Sequence, residues 1–236
     1  MAHRNAFLSP LVPSDAPVFG ATVHIVDDDA SFRTALERRV RRAGYDVATY
    51  PTAQQLLNDL WDESGLGCII LDVRMPGLSG PELQTRLVER GSTLPILFIT
   101  GYPDVPTVVS TMKAGAEDFL TKPIDSQRLL QAVEGAIAHH KASREVKAKL
   151  DVLRIRLTSL TPRERQVFEL VVRGEMNKHI AYQLGATERT IKAHRQQVME
   201  KMAVQSLAEL VSAAEHLGAL GGYGYPGSDG SADHDR

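Results

Sequence analysis

Residues 68–77 read Cys-Ile-Ile-Leu-Asp-Val-Arg-Met-Pro-Gly, a short apolar run that ends in an aspartate, Asp72. A continuous apolar run of this length is typical of a strand buried on both faces of a parallel sheet. Asp72 then stands at the carboxyl end of the strand. Because open parallel sheets bind ligands beside the carboxyl ends of their strands, Asp72 is the first candidate for a functional residue.

This predicted strand is one of five β-rich segments in the first half of the chain. The others lie at 22–26, 47–50, 96–99 and 119–120. Apolar residues at helical spacing lie between them, for example Phe32, Leu36 and Val40. The repeated alternation of strand and helix predicts an α/β fold, a doubly wound (β/α)5 domain with a parallel sheet and helices on both faces. We expect this domain to cover residues 21–125.

Polar side chains follow the predicted strands at one edge of this sheet: Asp27, Asp28, Asp72, Thr100 and Lys122. A single loop aspartate is usually solvated or caps a helix, but five polar residues at strand ends are much harder to explain in that way. An aspartate can attack phosphorus and form an aspartyl phosphate. Neighbouring carboxylates bind Mg²⁺, while an ammonium and a hydroxyl bind the phosphoryl oxygens. The set predicts Mg²⁺-dependent phosphoryl transfer to a carboxylate.

The pattern changes in the second half of the chain. Residues 126–157 contain no proline and are predicted to form one long helix, a helical linker. Its second part carries apolar residues at spacings of four, three and four: Val146, Leu150, Leu153 and Leu157. This seam is typical of a short coiled coil, and it either pairs with a second copy or packs on its own chain.

Four short helices with tight turns are predicted over residues 158–220, a small all-α domain. Two short helices joined by a tight turn are typical of a helix-turn-helix, whose second helix enters the major groove of DNA. That helix begins at Thr187. Its residues predicted to face outward are Arg189, Lys192, Ala193, Gln196 and Gln197. The alternative is a solvated basic face on a helical bundle.

Charge divides the chain in the same way. Residues 21–125 hold 15 acidic and 10 basic residues, a net charge of −5, whereas residues 126–220 hold 10 acidic and 15 basic residues, a net charge of +5. This asymmetry predicts two domains with different partners, a divalent metal for the acidic half and a polyanion for the basic half.

Composition excludes several other classes of protein. Hydrophobic residues make up 43% of the chain, enough to bury a core, which excludes wholesale disorder. No apolar run approaches the roughly 20 residues of a membrane helix, and residues 1–20 do not fit a signal peptide. The single cysteine, Cys68, excludes an internal disulfide. We expect a cytoplasmic protein without membrane contact, with a disordered extension at 1–20 and a disordered tail at 221–236.

Four motifs in the first half resemble the signatures of response-regulator receiver domains, in the order of that family. They are Val26-Asp-Asp-Asp29, Leu71-Asp-Val-Arg-Met-Pro-Gly77, Ile99-Thr-Gly101 and Phe119-Leu-Thr-Lys-Pro123. The resemblance covers about 105 residues and implies that Asp72 accepts a phosphoryl group.

The resemblance also implies the other roles at this site. Mg²⁺ would be bound by Asp28, Asp72 and the backbone carbonyl of Arg74, and Asp27 would assist through a water molecule. The residues that bind or respond to the phosphoryl group would be Thr100, Lys122 and Phe119. Phe119 can equally be a core residue. Arg74 and Tyr102 are bulky, and each lies two residues after a site residue, where it could hinder an attacking water.

Three motifs in the second half resemble the four-helix DNA-binding domain of the LuxR, FixJ and NarL type. They are Leu160-Thr-Pro-Arg-Glu-Arg165, Asn177-Lys-His-Ile-Ala181 and Thr190-Ile-Lys-Ala-His194. By this resemblance the base-contacting residues would be Lys192, Ala193 and Gln196. The DNA-backbone contacts would be Asn177, Lys178, Thr187, Arg189 and Arg195. Family members often carry valine in place of Ala193 and a basic residue in place of Gln196, which leaves the operator sequence open.

The resemblances together imply a phosphorylation-dependent transcriptional regulator of a two-component system, and not an enzyme. Its partners would be a sensor histidine kinase, double-stranded promoter DNA and, on phosphorylation, a second copy of itself, with RNA polymerase a further candidate. One alternative is a receiver-containing protein whose basic domain binds protein. Another is an aspartate-based phosphatase built on Asp27 and Asp29, but that family needs a further acidic pair after Lys122, where only Asp125 is available.

Overall fold

The computed structural model describes residues 20–60, 63 and 65–218. The chain divides into two compact units, Met1–Ser143 and Arg144–Arg236, which we describe separately. The expected disordered extension, apart from Gly20, and the expected disordered tail lie outside the described residues. Within the described part of the chain, no helix combines the length and the apolar character needed to cross a membrane.

The described part of the first unit contains a five-stranded parallel sheet with the strand order β2-β1-β3-β4-β5. Its strands are β1 (Thr22–Val26), β2 (Asp46–Tyr50), β3 (Gly67–Asp72), β4 (Ile96–Thr100) and β5 (Asp118–Thr121). The helices between them are α1 (Ala30–Arg42), α2 (Ala53–Asp59), α3 (Gly80–Glu89) and α4 (Val105–Lys113), and α5 (Ser126–Thr158) follows the last strand. The predicted doubly wound α/β fold is therefore confirmed.

Alternate residues of β3, the central strand, pack into two hydrophobic cores, one on each face of the sheet. Ile70 of β3 packs in a cluster with Leu36 of α1 and Leu129 of α5. Ile69 and Leu71, which face the other side of the sheet, pack in a second cluster with residues of α2 and α3. A strand covered on both faces must be apolar throughout, which is why residues 68–71 carry no polar side chain.

The sheet register brings the predicted polar residues to one edge. Val26 of β1 pairs with Leu71 of β3, so the residues that follow them, Asp27 and Asp72, lie side by side. Thr100 at the end of β4 pairs with Thr121 of β5, which precedes Lys122. The change of strand order around β1 and β3 opens the crevice in which doubly wound folds bind their ligands.

Helix α4 presents its apolar stripe outward. The side chains of Val105, Val109 and Met112 are 75%, 45% and 42% exposed, whereas Thr111 is the residue of this helix that is buried. The alternation of strands and helices predicted a helix between β4 and β5, but apolar spacing does not distinguish a face that packs on the sheet from one that does not.

Helix α5 is one continuous helix, as the sequence predicted, but the expected boundary at residue 125 is wrong. Leu129, Val133 and Ile137 belong to the core of the first unit, which extends through Ser143. The apolar residues at the start of α5 pack on the sheet, although the sequence pattern predicted them as part of the linker. Near the other end of the helix, Leu153 and Leu157 pack on the core of the second unit.

The second unit consists of short helices that follow α5: α6 (Pro162–Val172), α7 (Asn177–Gln183), α8 (Glu188–Met202) and α9 (Leu207–His216). Thr161 and Glu164 form a capping box at the start of α6. Gly185, with a φ of 61°, allows the tight turn between α7 and α8. The predicted four-helix domain with a helix-turn-helix is confirmed.

Candidate acidic site and nucleic-acid interface

Three carboxylates meet at the carboxyl edge of the sheet. Asp27, Asp28 and Asp72 each offer an oxygen, and these oxygens lie within 4.8 Å of one another. Asp27 and Asp72 are buried, whereas Asp28 is exposed. A set of oxygen ligands that is open to solvent on one side fits Mg²⁺, which prefers oxygen ligands and keeps several of its waters.

An ammonium group joins two of these carboxylates. Lys122 Nζ donates hydrogen bonds to Oδ2 of Asp27 at 2.7 Å and to Oδ2 of Asp72 at 2.9 Å. The peptide bond between Lys122 and Pro123 is cis. The backbone amide of Lys122 donates to the carbonyl of Thr100 at 2.7 Å, which fixes the start of this loop against β4.

Burial and pairing act on this site in opposite directions. Burial raises the pKa of Asp27, and this effect outweighs the hydrogen bond from Lys122, which lowers it. Burial alone would lower the pKa of Lys122, but its hydrogen bonds to Asp27 and Asp72 and the charges of both carboxylates together raise it. Lys122 is therefore firmly charged at neutral pH, and its side chain is only 20% exposed.

Two bulky side chains stand beside the acidic site. The guanidinium carbon of Arg74 lies 5.9 Å from the ring centroid of Tyr102, and Arg74 also lies 3.8 Å from a carboxylate oxygen of Asp104. The backbone amide of Arg74 donates to Oδ1 of Asp72 at 3.3 Å. Tyr102, which is 75% exposed, donates its backbone amide to the hydroxyl of the buried Thr100 at 3.2 Å.

Phe119 is half-buried and packs against the core cluster on the α2 and α3 face of the sheet. Its ring centroid lies 6.2 Å from that of Phe98. This placement fits a core residue, and it leaves the ring next to β4, so the predicted switch role stays a prediction.

Sequence reasoning missed one residue at the site, Phe32. We assigned it to the core periodicity of α1, and it does pack against that core. Its ring centroid, however, also lies 4.1 Å from Nζ of Lys122. A signal was present in the sequence, since Phe32 lies only four residues after Asp28 and therefore in the first turn of α1.

The second unit presents a polar face on α8. Ile191, Val198 and Met202 are buried in the core of this unit. The candidate base-contacting residues Lys192, Ala193 and Gln196 are all exposed, as are Thr187 and Arg189. Thr187 caps α8, because its hydroxyl accepts a hydrogen bond from the amide of Thr190 at 3.1 Å.

The remaining DNA-contact candidates lie on both helices of the helix-turn-helix. Arg195 of α8 donates to the side-chain oxygen of Asn177 of α7 at 3.2 Å, and both residues are half-buried. Lys178 is exposed at the start of α7. Gln196 donates to Glu200 at 3.0 Å. The structure thus brings the candidates of α7 and α8 together, with Arg195 and Asn177 holding the two helices to each other.

Two protein families match the two halves of the chain. Residues 23–134 match the response regulator receiver domain, and residues 158–214 match the bacterial regulatory proteins of the luxR family. Nodulation protein W of Bradyrhizobium diazoefficiens is 41% identical over 198 residues, which cover 84% of this chain and 87% of that protein.

Transcriptional regulatory protein FixJ of the same organism is 42% identical over 198 residues, which cover 84% of this chain and 96% of FixJ. Among solved structures, that of the response regulator StyR is similar, with a TM-score of 0.75 and 44% identity over 83% of this chain and 98% of StyR.

Proposed function

Because this chain belongs to the response regulators that join a receiver domain to a LuxR-type DNA-binding domain, we propose that Asp72 is the residue through which it is phosphorylated. The family and its relatives make the chain a phosphorylation-dependent regulator of transcription in a two-component system. The observation that carries the proposal is the juxtaposition of the carboxylates of Asp27, Asp28 and Asp72 with the ammonium of Lys122.

Phosphoryl transfer to Asp72 requires a nucleophile, a metal ion and groups that bind the phosphoryl oxygens. An oxygen of Asp72 attacks the phosphorus of the phosphohistidine on a sensor kinase, the phosphorus–nitrogen bond breaks, and the histidine leaves with the bond electrons. Asp28, Asp72 and the backbone carbonyl of Arg74 would hold Mg²⁺, with Asp27 acting through water. Bound Mg²⁺ supplies neutralisation of the charge on the phosphoryl oxygens. Lys122 and the hydroxyl of Thr100 bind the remaining oxygens after transfer.

The outward apolar stripe of α4 supports a response to phosphorylation. Helix α4 packs beside β5, which carries Phe119, and β4, which ends at Thr100, is the neighbouring strand. A shift of Thr100 towards the phosphoryl group would change the surroundings of Phe119 and α4. We assign Val105, Val109 and Met112 to the contact of a two-fold homodimer, since closed two-fold pairs are the commonest assemblies.

We propose that the second domain then binds promoter DNA. In our proposal Lys192, Ala193 and Gln196 read bases in the major groove. The residues that contact the DNA backbone are Asn177, Lys178, Thr187, Arg189 and Arg195. The match to the luxR family over residues 158–214 favours DNA over a protein as the main partner of this domain. We place the protein in the cytoplasm, with RNA polymerase as a candidate further partner and with no activity beyond its own phosphorylation and dephosphorylation.

One experiment tests the acceptor. The full-length chain and its Asp72→Asn variant are incubated with acetyl phosphate and Mg²⁺, and the intact proteins are weighed by mass spectrometry. Asparagine keeps the shape of the side chain but lacks the nucleophilic oxygen. We expect one phosphoryl group on the wild type, none on the variant, and none on either with EDTA. A phosphorylated Asp72→Asn chain, or labelling that EDTA leaves unchanged, contradicts the proposal.

A further inference from the structure

The ammonium of Lys122 has a third neighbour besides its two carboxylates. Nζ lies 4.1 Å from the ring centroid of Phe32, over the face of the ring. The face of an aromatic ring is negative, and it attracts a cation within about 6 Å. Because the side chain of Lys122 is only 20% exposed, water screens this attraction incompletely.

The loop that carries the acids also fixes the ring. The carboxylate of Asp29, the N-cap of α1, accepts hydrogen bonds from the amides of Ser31 and Phe32 at 2.8 Å and 3.1 Å. The amide of Asp29 in turn donates to Oδ1 of Asp27 at 2.8 Å. Phe32 also packs against the core cluster between α1, α5 and the sheet. The backbone bonds and this packing therefore keep the ring of Phe32 beside the loop that carries the carboxylates.

We propose that Phe32 is a positioning residue for phosphoryl transfer, whose ring face keeps the ammonium of Lys122 at the acidic site when the carboxylates bind other partners. This inference rests on the proposed function of Asp72. It assigns Phe32 no contact with the phosphoryl group itself.

The need for such a residue follows from competition at the carboxylates. Mg²⁺ at Asp28 and Asp72 would repel the ammonium. It would also bind carboxylate oxygens of the cluster that now accepts hydrogen bonds from Lys122. Lysine is a point charge on a flexible four-carbon chain, so an ammonium that loses its ion pairs can move into solvent. The ring of Phe32 is a poor partner for a hydrated Mg²⁺, so this contact persists. The ammonium then stays within reach of the arriving phosphoryl oxygens.

Fluorinated phenylalanines separate this role from simple packing. Mono-, di- and trifluorophenylalanine at position 32 of the full-length chain nearly preserve the shape of the ring while they weaken the negative potential of its face. With acetyl phosphate and Mg²⁺, we expect the rate of Asp72 phosphorylation to fall stepwise along the series, by about twofold to tenfold at three fluorines. We expect the Kd for Mg²⁺, measured by calorimetry, not to rise, because a less tightly held ammonium competes less with the metal.

Phe168 provides the matched control. It is fully buried in the core of the second unit, so the same fluorinated residues there should change neither the rate nor the Kd. The contact can also be observed without metal. Protons on the Lys122 carbon next to Nζ should be shifted upfield in NMR spectra by the ring current of Phe32, and the shift should vanish in Phe32→Leu.

The outcomes are distinct. A rate that does not depend on fluorination, or a Kd for Mg²⁺ that rises as the rate falls, overturns the role of Phe32 and indicates packing alone. An absent upfield shift at Lys122 in the wild type also overturns it. A wild-type chain that takes no phosphoryl group at Asp72 overturns the proposed function, and this inference fails with it.

Discussion

The ammonium of Lys122 lies 2.9 Å from Oδ2 of Asp72, although the two residues are 50 positions apart in the sequence. The pair forms because both residues follow parallel strands and so reach the same edge of the sheet. As a consequence, a positive charge already lies at the oxygen of Asp72 that we propose accepts the phosphoryl group. The same charge competes with any cation that approaches the three aspartates.

Removal of the Lys122 ammonium should therefore strengthen the binding of Mg²⁺ and slow phosphoryl transfer. We expect Lys122→Ala to lower the Kd for Mg²⁺ by about threefold to tenfold, the equivalent of about 0.7–1.4 kcal/mol. The same variant should be phosphorylated more slowly by acetyl phosphate, because it loses the ammonium that binds the phosphoryl oxygens. Calorimetry and mass spectrometry measure the two quantities. Lys113→Ala on α4 is the control, and a higher Kd in Lys122→Ala would refute the competition.

As the pH is lowered, the affinity of this site for Mg²⁺ should begin to fall at a higher pH than it would if Asp27 had the ordinary pKa of an aspartate. Burial raises the pKa of Asp27, so its carboxylate takes up a proton at a pH above the usual value near 3.8. A protonated Asp27 has lost the negative charge that attracts the cation, and it accepts hydrogen bonds from the waters of the ion more weakly. The affinity for Mg²⁺ should therefore fall as the pH decreases towards this raised pKa. Calorimetry between about pH 5 and pH 8 measures the Kd, and Asp27→Asn should bind more weakly at pH 8 and lose much of the pH dependence.

The sequence identified the edge of the sheet but not everything that lies there. Strand-end positions predicted the meeting of Asp27, Asp72 and Lys122, because parallel strands have a fixed polarity. The ring of Phe32 near Lys122 could not be predicted, since that contact depends on the distance between α1 and the β5 loop and not on periodicity.

Helix positions show the same limit. Val105, Val109 and Met112 have helical spacing, but a period of 3.6 residues does not indicate which neighbour covers the apolar stripe of α4. Likewise, the sequence predicts the apolar residues at 129–137 as part of a linker. A continuous helix shows no change in its sequence pattern at the point where it leaves one domain and enters the next.

Arg74 and Tyr102 should slow the loss of the phosphoryl group. Their backbone amides hydrogen-bond to Asp72 and Thr100, and their side chains contact each other. We expect these bulky side chains to hinder a water that approaches the phosphorus. We expect Tyr102→Gly and Arg74→Ala each to hydrolyse the aspartyl phosphate about threefold to tenfold faster than wild type. The decay is followed by mass spectrometry after removal of acetyl phosphate. An equal substitution away from the site, Tyr182→Gly, should leave the half-life unchanged, and unchanged half-lives in the first two variants would show that they do not shield the phosphorus.

A charge on the outer face of α4 should block dimerisation. Val109 is 45% exposed within the apolar stripe, so Val109→Lys should leave the fold intact while it places an ammonium in the expected contact. We expect the dimer Kd of the chain with beryllium fluoride and Mg²⁺ to rise at least about tenfold, or about 1.4 kcal/mol. Sedimentation velocity measures the change. Val88→Lys, at a 61% exposed valine of α3, should dimerise as wild type does, and a Val109→Lys chain that also does so would exclude this face.

Lys192 and Lys178, both exposed on the helix-turn-helix, should contact different parts of the DNA. Lys192 lies one turn into α8, and the neighbouring Ala193 leaves room for close approach to the bases. If Lys192 reads a guanine edge, Lys192→Ala should cost about 1–3 kcal/mol on the correct site and should relax specificity there. Lys178, exposed at the start of α7, is expected to contact phosphate. Lys178→Ala should therefore weaken binding almost equally on all sequences and reduce the salt slope by about one unit.

The two lysines serve as controls for each other. A duplex selected in vitro with the wild-type chain and a scrambled duplex of equal length are titrated by fluorescence anisotropy at two salt concentrations. For Lys192→Ala, the ratio of the two affinities should shrink. For Lys178→Ala, the ratio should stay constant while both affinities fall, because a phosphate contact carries no sequence information. A uniform loss for Lys192→Ala would instead assign Lys192 to the backbone and leave Gln196, one turn further along the exposed face, as the candidate reader of the operator.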